Sequence, residues 1–180
     1  MKFIPLDISG LWLIEPQVFH DERGYFMESF QSESFREHIG NITFVQENES
    51  CSVKNVLRGL HYQREPYAQS KLIRVVQGEV LDIAVDIRLH SPTYGKHAAV
   101  LLSGNNKLQF FIPKGFAHGF KVLSDVAIFQ YKVDNPYVPA GEGGILYNDP
   151  TLAIDWQLSP DNPPLLSPKD RAWGAFPPLT

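Results

Sequence analysis

With 180 residues, 43% of them hydrophobic and 20% charged, the chain has the composition of an ordinary water-soluble globule, long enough to bury roughly 70% of its unfolded surface without covalent staples. A formal net charge of -4 excludes a general nucleic-acid or anionic-membrane surface, so any anionic ligand must be held by a few placed cations. Cys51 is the sole cysteine, which rules out an intrachain disulfide or a thiolate metal cluster; with no apolar leader after Met1 and no run near the ~20 residues of a membrane span, a cytoplasmic protein without membrane contact is expected.

Apolar and β-branched runs recur at short intervals between Gly, Pro, Asn and Asp, the pattern of many strands joined by turns. In chain order, strands are predicted at Leu11 to Phe19 and Tyr25 to Phe30. One helix follows at Ser32 to Ile39, with Ser32 as its cap and Phe35 and Ile39 on one face. Further strands are predicted at Phe44 to Glu49, Val56 to Gln63, Lys71 to Val76, Glu79 to Arg88, His97 to Leu102, Leu108 to Ile112, His118 to Val122 and Ala127 to Val133. Gln77-Gly78 reads as a tight hairpin turn. The Pro-rich end from Ser159 to Thr180 carries Leu165, Leu166, Trp173 and Phe176 as apolar anchors, and is expected to wrap over the rest of a single domain spanning 1-180. The architecture this implies is all-β, a jelly-roll double-sheet barrel with a few short helices.

The stretch Arg58-Gly59-Leu60-His61-Tyr62-Gln63, with Lys71 beyond it, sets a histidine between two cations inside an otherwise buried run. Burying such groups unpaired costs several kcal/mol. Either a cavity holds an anionic ligand there, or His61 is a satisfied core histidine and the cations turn to solvent. Arg58 and His61 have opposite strand parity and share a face only if the chain bulges, for which Gly59 is the natural place. In Glu79 to Arg88, Leu81, Ile83, Val85 and Ile87 fall on one face, and Val80, Asp82, Ala84, Asp86 and Arg88 on the other. That second face reads first as solvated exterior; on the concave side of a barrel Asp82 would instead orient a histidine or ligand. Pro113-Lys114-Gly115-Phe116-Ala117-His118 resembles the second motif of cupin barrels. Its metal-binding members add further histidines and a glutamate, whereas here only His61 joins His118, so no bound metal is expected. Phe129 and Tyr131 share a strand face; a buried tyrosine there either packs with its hydroxyl hydrogen-bonded or, opposite a histidine, donates a proton.

Phe19-His20-Asp21-Glu22-Arg23-Gly24-Tyr25-Phe26, Arg58 to Gln63, Gly115 to Phe120, Tyr131-Lys132 and Ser167-Pro168-Lys169-Asp170 form an ordered set. In order and spacing this set resembles the dTDP-4-dehydrorhamnose 3,5-epimerases over nearly the whole chain. The resemblance implies a cupin jelly roll that acts as a homodimer, with no cofactor and no metal. It would epimerise dTDP-4-dehydro-6-deoxy-D-glucose at C3 and C5 on the route to dTDP-L-rhamnose.

It also implies roles. His61 would be the base, Asp170 its partner, Tyr131 the acid on the opposite face, and Lys71, helped by Arg58 or His118, the stabiliser of the enolate oxygen. The dTDP moiety would be held by Arg23, Glu28, Gln46, Asn48, Arg58, Glu142 and Lys169, with Tyr137 stacked on thymine and the segment Phe19 to Glu28 supplied by the dimer mate. Two places depart from the family pattern: the tail after Asp170, longer and more aromatic through Trp173 and Phe176, and His97, where an aromatic is expected. Relatives that invert a single carbon keep the histidine and tyrosine. A single-centre epimerase, a metal-dependent cupin enzyme and a non-catalytic sugar-nucleotide binder are the alternative readings.

Overall fold

The computed structural model describes residues 1-177. The chain runs β1 (Lys2–Pro5), β2 (Trp12–Glu15), β3 (Val18–Asp21), β4 (Gly24–Met27), α1 (Ser32–His38), β5 (Gln46–Val53), β6 (Leu57–Gln63), β7 (Lys71–Gln77), β8 (Glu79–Asp86), β9 (His97–Ser103), β10 (Gln109–Ile112), β11 (Phe116–Val122), β12 (Val126–Val133), β13 (Glu142–Gly144) and α2 (Pro168–Arg171). A six-stranded sheet ordered β1-β2-β10-β7-β12-β5 faces a five-stranded sheet ordered β13-β6-β11-β8-β9, and β3-β4 form a separate ribbon. The all-β, double-sheet expectation is what the structure shows.

The space between the sheets is filled by Ile73, Val75, Phe110 and Phe129 from one side and Val80, Ala84, Leu102, Phe120 and Val122 from the other. Neither outer face is left bare. Ile145, Leu152, Trp156 and Phe176 cover Leu57, Leu60, Leu81, Ile83 and Val85, while Phe35 of α1 covers Ile14, Leu72 and Phe111. β8 is therefore buried on both faces, which overturns the solvated-exterior reading: Asp82 and Asp86 are 0% exposed.

Other expectations shift for local reasons. The run from Leu11 to Phe19 splits at Pro16, which has no N–H for a ladder, into β2 and β3. Gln77-Gly78 is a corner rather than a hairpin, because β7 and β8 belong to different sheets. Gly78 is required there: φ is +79° and an added Cβ would fall 2.0 Å from the Val126 carbonyl oxygen. The α1 cap is Gln31, whose side chain accepts from the Ser34 N–H, not Ser32. Of the tail anchors, Phe176 is buried, but Leu165 is 52% exposed and holds through its backbone, exchanging hydrogen bonds with Leu57 and Asn55. The last three residues of the predicted tail lie outside the described residues. Among those described, no helix is long and apolar enough to cross a membrane.

Candidate active site

The site begins with a bulge. On β6 the step from Arg58 to His61 faces the shorter step from Phe120 to His118 on β11. The extra residue brings Arg58 and His61 onto the inner face despite their opposite parity. Gly59 carries the distortion with φ of +127°, and a Cβ there would lie 2.5 Å from the Gly119 Cα. Arg58 then reaches across the barrel to Ser52 of β5, donating to its hydroxyl from Nε at 3.2 Å and Nη2 at 3.1 Å.

His61 meets Asp170 through Nε2 at 2.5 Å. The carboxylate is delivered by α2, whose cap Ser167 donates its hydroxyl to Asp170 at 2.7 Å and accepts the Asp170 N–H at 3.1 Å. Burial pushes the Asp170 carboxyl up, but hydrogen bonds from His61, Ser167 and the Gly59 N–H outweigh it and hold the group below the usual carboxylate range. With Nε2 committed to a carboxylate, Nδ1 is the ring nitrogen left to take a proton.

Deeper in the barrel, His118 Nε2 lies 2.9 Å and 3.0 Å from the two oxygens of Asp82. Burial lowers the His118 pKa against the pull of Asp82. Lys71 enters from the facing sheet on the same side of β7 as core residues Ile73 and Val75, and burial lowers its pKa to about 8 despite attraction from Asp82 and Glu142. Its Nζ lies 6.0 Å from the centroid of the Tyr131 ring. Burial raises the Tyr131 phenol, only partly offset by Arg58, so it stays protonated at neutral pH.

A polar chain lines the rim. Glu142 accepts from the Tyr137 hydroxyl at 2.7 Å and pairs with Lys169. Gln46 accepts from the Tyr137 N–H at 3.1 Å and donates to Asn48 at 2.8 Å. Tyr137 is 46% exposed and offers a flat face to solvent. A cavity of about 400 Å³ opens beside Arg58, His61, Lys169 and Asp170. A larger groove of about 620 Å³ between Leu6, Leu13 and Val100 contains none of these groups; side-chain chemistry, not size, marks the site.

The structure thus gathers His61, Asp170, Lys71, Tyr131, His118, Arg58, Gln46, Asn48, Tyr137, Glu142 and Lys169 around one end of the barrel. Arg23 and Glu28 are not among them. Arg23 is exposed on the β3-β4 ribbon and pairs with Asp21, its Nε 3.1 Å from Oδ2; Glu28 is exposed just after β4. Ser167 and Ser52 were not singled out from sequence. Ser167 was readable as the cap of Ser167-Pro168-Lys169-Asp170, with Pro in the first turn; Ser52 gives no local signal. Among the described residues no group of three or more His, Cys, Asp or Glu side chains could hold a metal ion.

Comparison with known proteins agrees with the geometry. The family model for dTDP-4-dehydrorhamnose 3,5-epimerase matches residues 5–177. The enzyme of that name from Shigella flexneri is 56% identical over 171 residues, covering 94% of this chain and 93% of its own. A crystal structure of dTDP-6-deoxy-D-glucose-3,5-epimerase from Legionella pneumophila, in complex with dTDP-4-keto-L-rhamnose, superposes with a TM-score of 0.93 at 53% identity, covering 97% of this chain and 92% of that one. A 3'-monoepimerase from Streptomyces bikiniensis in complex with dTDP-quinovose is more distant, at 35% identity and a TM-score of 0.89 over 96% of this chain and 86% of its own. Sequence, fold and the side chains converging at the barrel mouth agree: the chain belongs to the dTDP-4-dehydrorhamnose 3,5-epimerase family.

Proposed function

We propose that this single-domain protein epimerises dTDP-4-dehydro-6-deoxy-D-glucose at C3 and C5, giving dTDP-4-dehydro-L-rhamnose, in the cytoplasm and without a metal or cofactor. The observation that carries this reading is the pairing of His61 with Asp170 on one sheet's side of the barrel, facing the protonated Tyr131 phenol and Lys71 on the other.

Both carbons flank the C4 ketone, so loss of either proton gives an enolate with its charge on O4. His61 takes the proton while Asp170 fixes the tautomer and stabilises the imidazolium. Tyr131 returns a proton from the opposite face, inverting the centre, and solvent restores both groups. Lys71, with Arg58 and His118 nearby, stabilises the O4 charge; one oriented donor in such a site is typically worth about 3 kcal/mol. Arg58 and Lys169 meet the diphosphate, while Gln46, Asn48 and Glu142 frame the nucleoside against Tyr137. A metal-dependent mechanism is disfavoured because, among the described residues, no three His, Cys, Asp or Glu side chains converge to fill a coordination shell.

Arg23 and Glu28 complete the nucleotide site from a second copy. Phe19, Tyr25 and Phe26 of the ribbon are 54%, 52% and 70% exposed, a poor arrangement for a lone chain and a good one for a homodimer interface. The test is incubation with dTDP-4-dehydro-6-deoxy-D-glucose and NMR of the product. An L-rhamno product supports the reading, and unchanged sugar rejects it. Inversion at one carbon only would favour the second reading, suggested by the monoepimerase that shares the fold.

A further inference from the structure

Trp173, expected only as an apolar anchor of the tail, has no role in the site described above, yet its indole makes an edge-type contact with the His61 imidazole, with ring centroids 6.1 Å apart at an interplanar angle of 66°. The ring lies flush on bare backbone, because a Cβ added to Gly144 would fall 2.2 Å from indole carbons. Gly144 is the β13 residue paired in register with His61. The next residue pins the indole in place: the Leu146 N–H donates to the Gly174 carbonyl at 2.8 Å, and Gly174 bridges Ile145. On the rim side the Lys169 ammonium sits 5.8 Å from the indole centroid, while its charge is met by Glu142. The indole N–H is buried with no hydrogen-bond partner among the described residues. Ring shape is what seats this side chain, with its indole against the Gly144 backbone and in edge-type contact with His61.

A histidine held by one hydrogen bond can still swing about that bond, and His61 sits just past a bulge where the backbone departs from regular pairing. An edge contact from a rigid ring removes that freedom. We propose that Trp173 is a positioning residue that, seated on Gly144, fixes the His61 imidazole in the orientation that Asp170 and the sugar both require. The inference rests on His61 being the base of the proposed reaction, and it assigns a task to the aromatic stretch of the tail.

The experiment combines steady-state kinetics of Trp173→Ala, Trp173→Phe and Gly144→Ala with 15N NMR of the His61 imidazole in substrate-free protein. Trp173→Ala is expected to lower kcat by about 10- to 100-fold, the scale of a misplaced catalytic group, with dTDP affinity retained because Glu142 still holds Lys169. Trp173→Phe should recover most of kcat, since it keeps an edge and discards the orphan donor. Gly144→Ala, which displaces the indole without touching a polar group, should behave like Trp173→Ala. The two His61 nitrogens should show one tautomer in wild type and Trp173→Phe, and averaged shifts in the impaired variants. If Trp173→Ala does not fold, Trp173→Leu replaces it with the same expectations. Wild-type kcat and unchanged nitrogen shifts in the alanine or leucine variant would overturn the proposal. A wild-type protein without epimerase activity would instead reject the assigned reaction, and the NMR arm would still decide whether Trp173 orients His61.

Discussion

His61 is useful as a base only because its other nitrogen is occupied. Asp170, 3% exposed and held as a carboxylate, takes Nε2 and fixes the tautomer. His61→Ala is expected to abolish hydrogen exchange at both sugar carbons. Asp170→Asn should keep the fold but lower kcat on the order of 10³- to 10⁴-fold, as for other carboxylate-oriented histidines; wild-type kcat in that variant would remove the dyad from the mechanism. Lys71 provides an independent pH signature. With a folded pKa of about 8 against an ordinary 10.5, the enolate-stabilising charge is present below about pH 8 and lost as pH rises, so kcat/KM should fall on an alkaline limb near 8. The bound diphosphate favours the ammonium, so the limb in kcat should lie higher. Between the two pKa values the unfolded chain binds more protons than the folded one, and stability against unfolding should therefore rise through the window in which activity falls. A kcat/KM profile flat to pH 10 would contradict a catalytic ammonium at Lys71.

Among the elements, the bulged β6 was the most legible in sequence. Arg58 and His61 conflict in parity, and Gly59 between them offers the one resolution that keeps both on the inner face. Gly59→Ala meets both a φ of +127° and the Gly119 backbone. It should cost at least about 1–3 kcal/mol of stability, the scale of a non-glycine residue held in such backbone strain, and a thermal melt superimposable on wild type would refute that role. On β8 the solvated reading of the carboxylate face fails and the alternative holds: Asp82 lies on the concave side and orients a histidine, though which histidine is set by pairing with the distant β11. Asp86 accepts hydrogen bonds from Arg88, Ser91 and Thr93 within its own following loop. Turn chemistry at Gln77-Gly78 announced a sharp reversal but not that the chain leaves one sheet for the other, since pairing partners are set by distant strands. Of the β3-β4 ribbon only β4 is legible, in the run Tyr25 to Phe30, because β3 is hidden in the single run Leu11 to Phe19 until Pro16 divides it. The proposed dimer is what would bring the exposed Arg23 to a nucleotide site. Arg23→Ala should weaken dTDP binding, read by calorimetry, more than it slows exchange at saturating substrate; equal affinity would remove Arg23 from the nucleotide site.

At the scale of the whole molecule, two sheets packed face to face form the scaffold, and the site sits where strand ends, α2 and the tail converge. The ordered motifs spread along the chain made the family legible before any contact was known. What they left open, how many centres are inverted, depends on how the sugar moves between His61 and Tyr131, and so on the side chains lining that path, not on the acid and base themselves. If ribbons are exchanged between copies, an enforced monomer should lose nucleotide affinity and turnover together, measured by sedimentation alongside kinetics. A fully active monomer would contradict the shared site. Whether one base and one acid serve both carbons through enolates is read by incubating the protein with dTDP-4-dehydro-6-deoxy-D-glucose in D2O and following the sugar by NMR and mass spectrometry. Deuterium at both C3 and C5 in an L-configured product is expected. Label at one carbon only, with the other retaining its protium and configuration at long times, would contradict it.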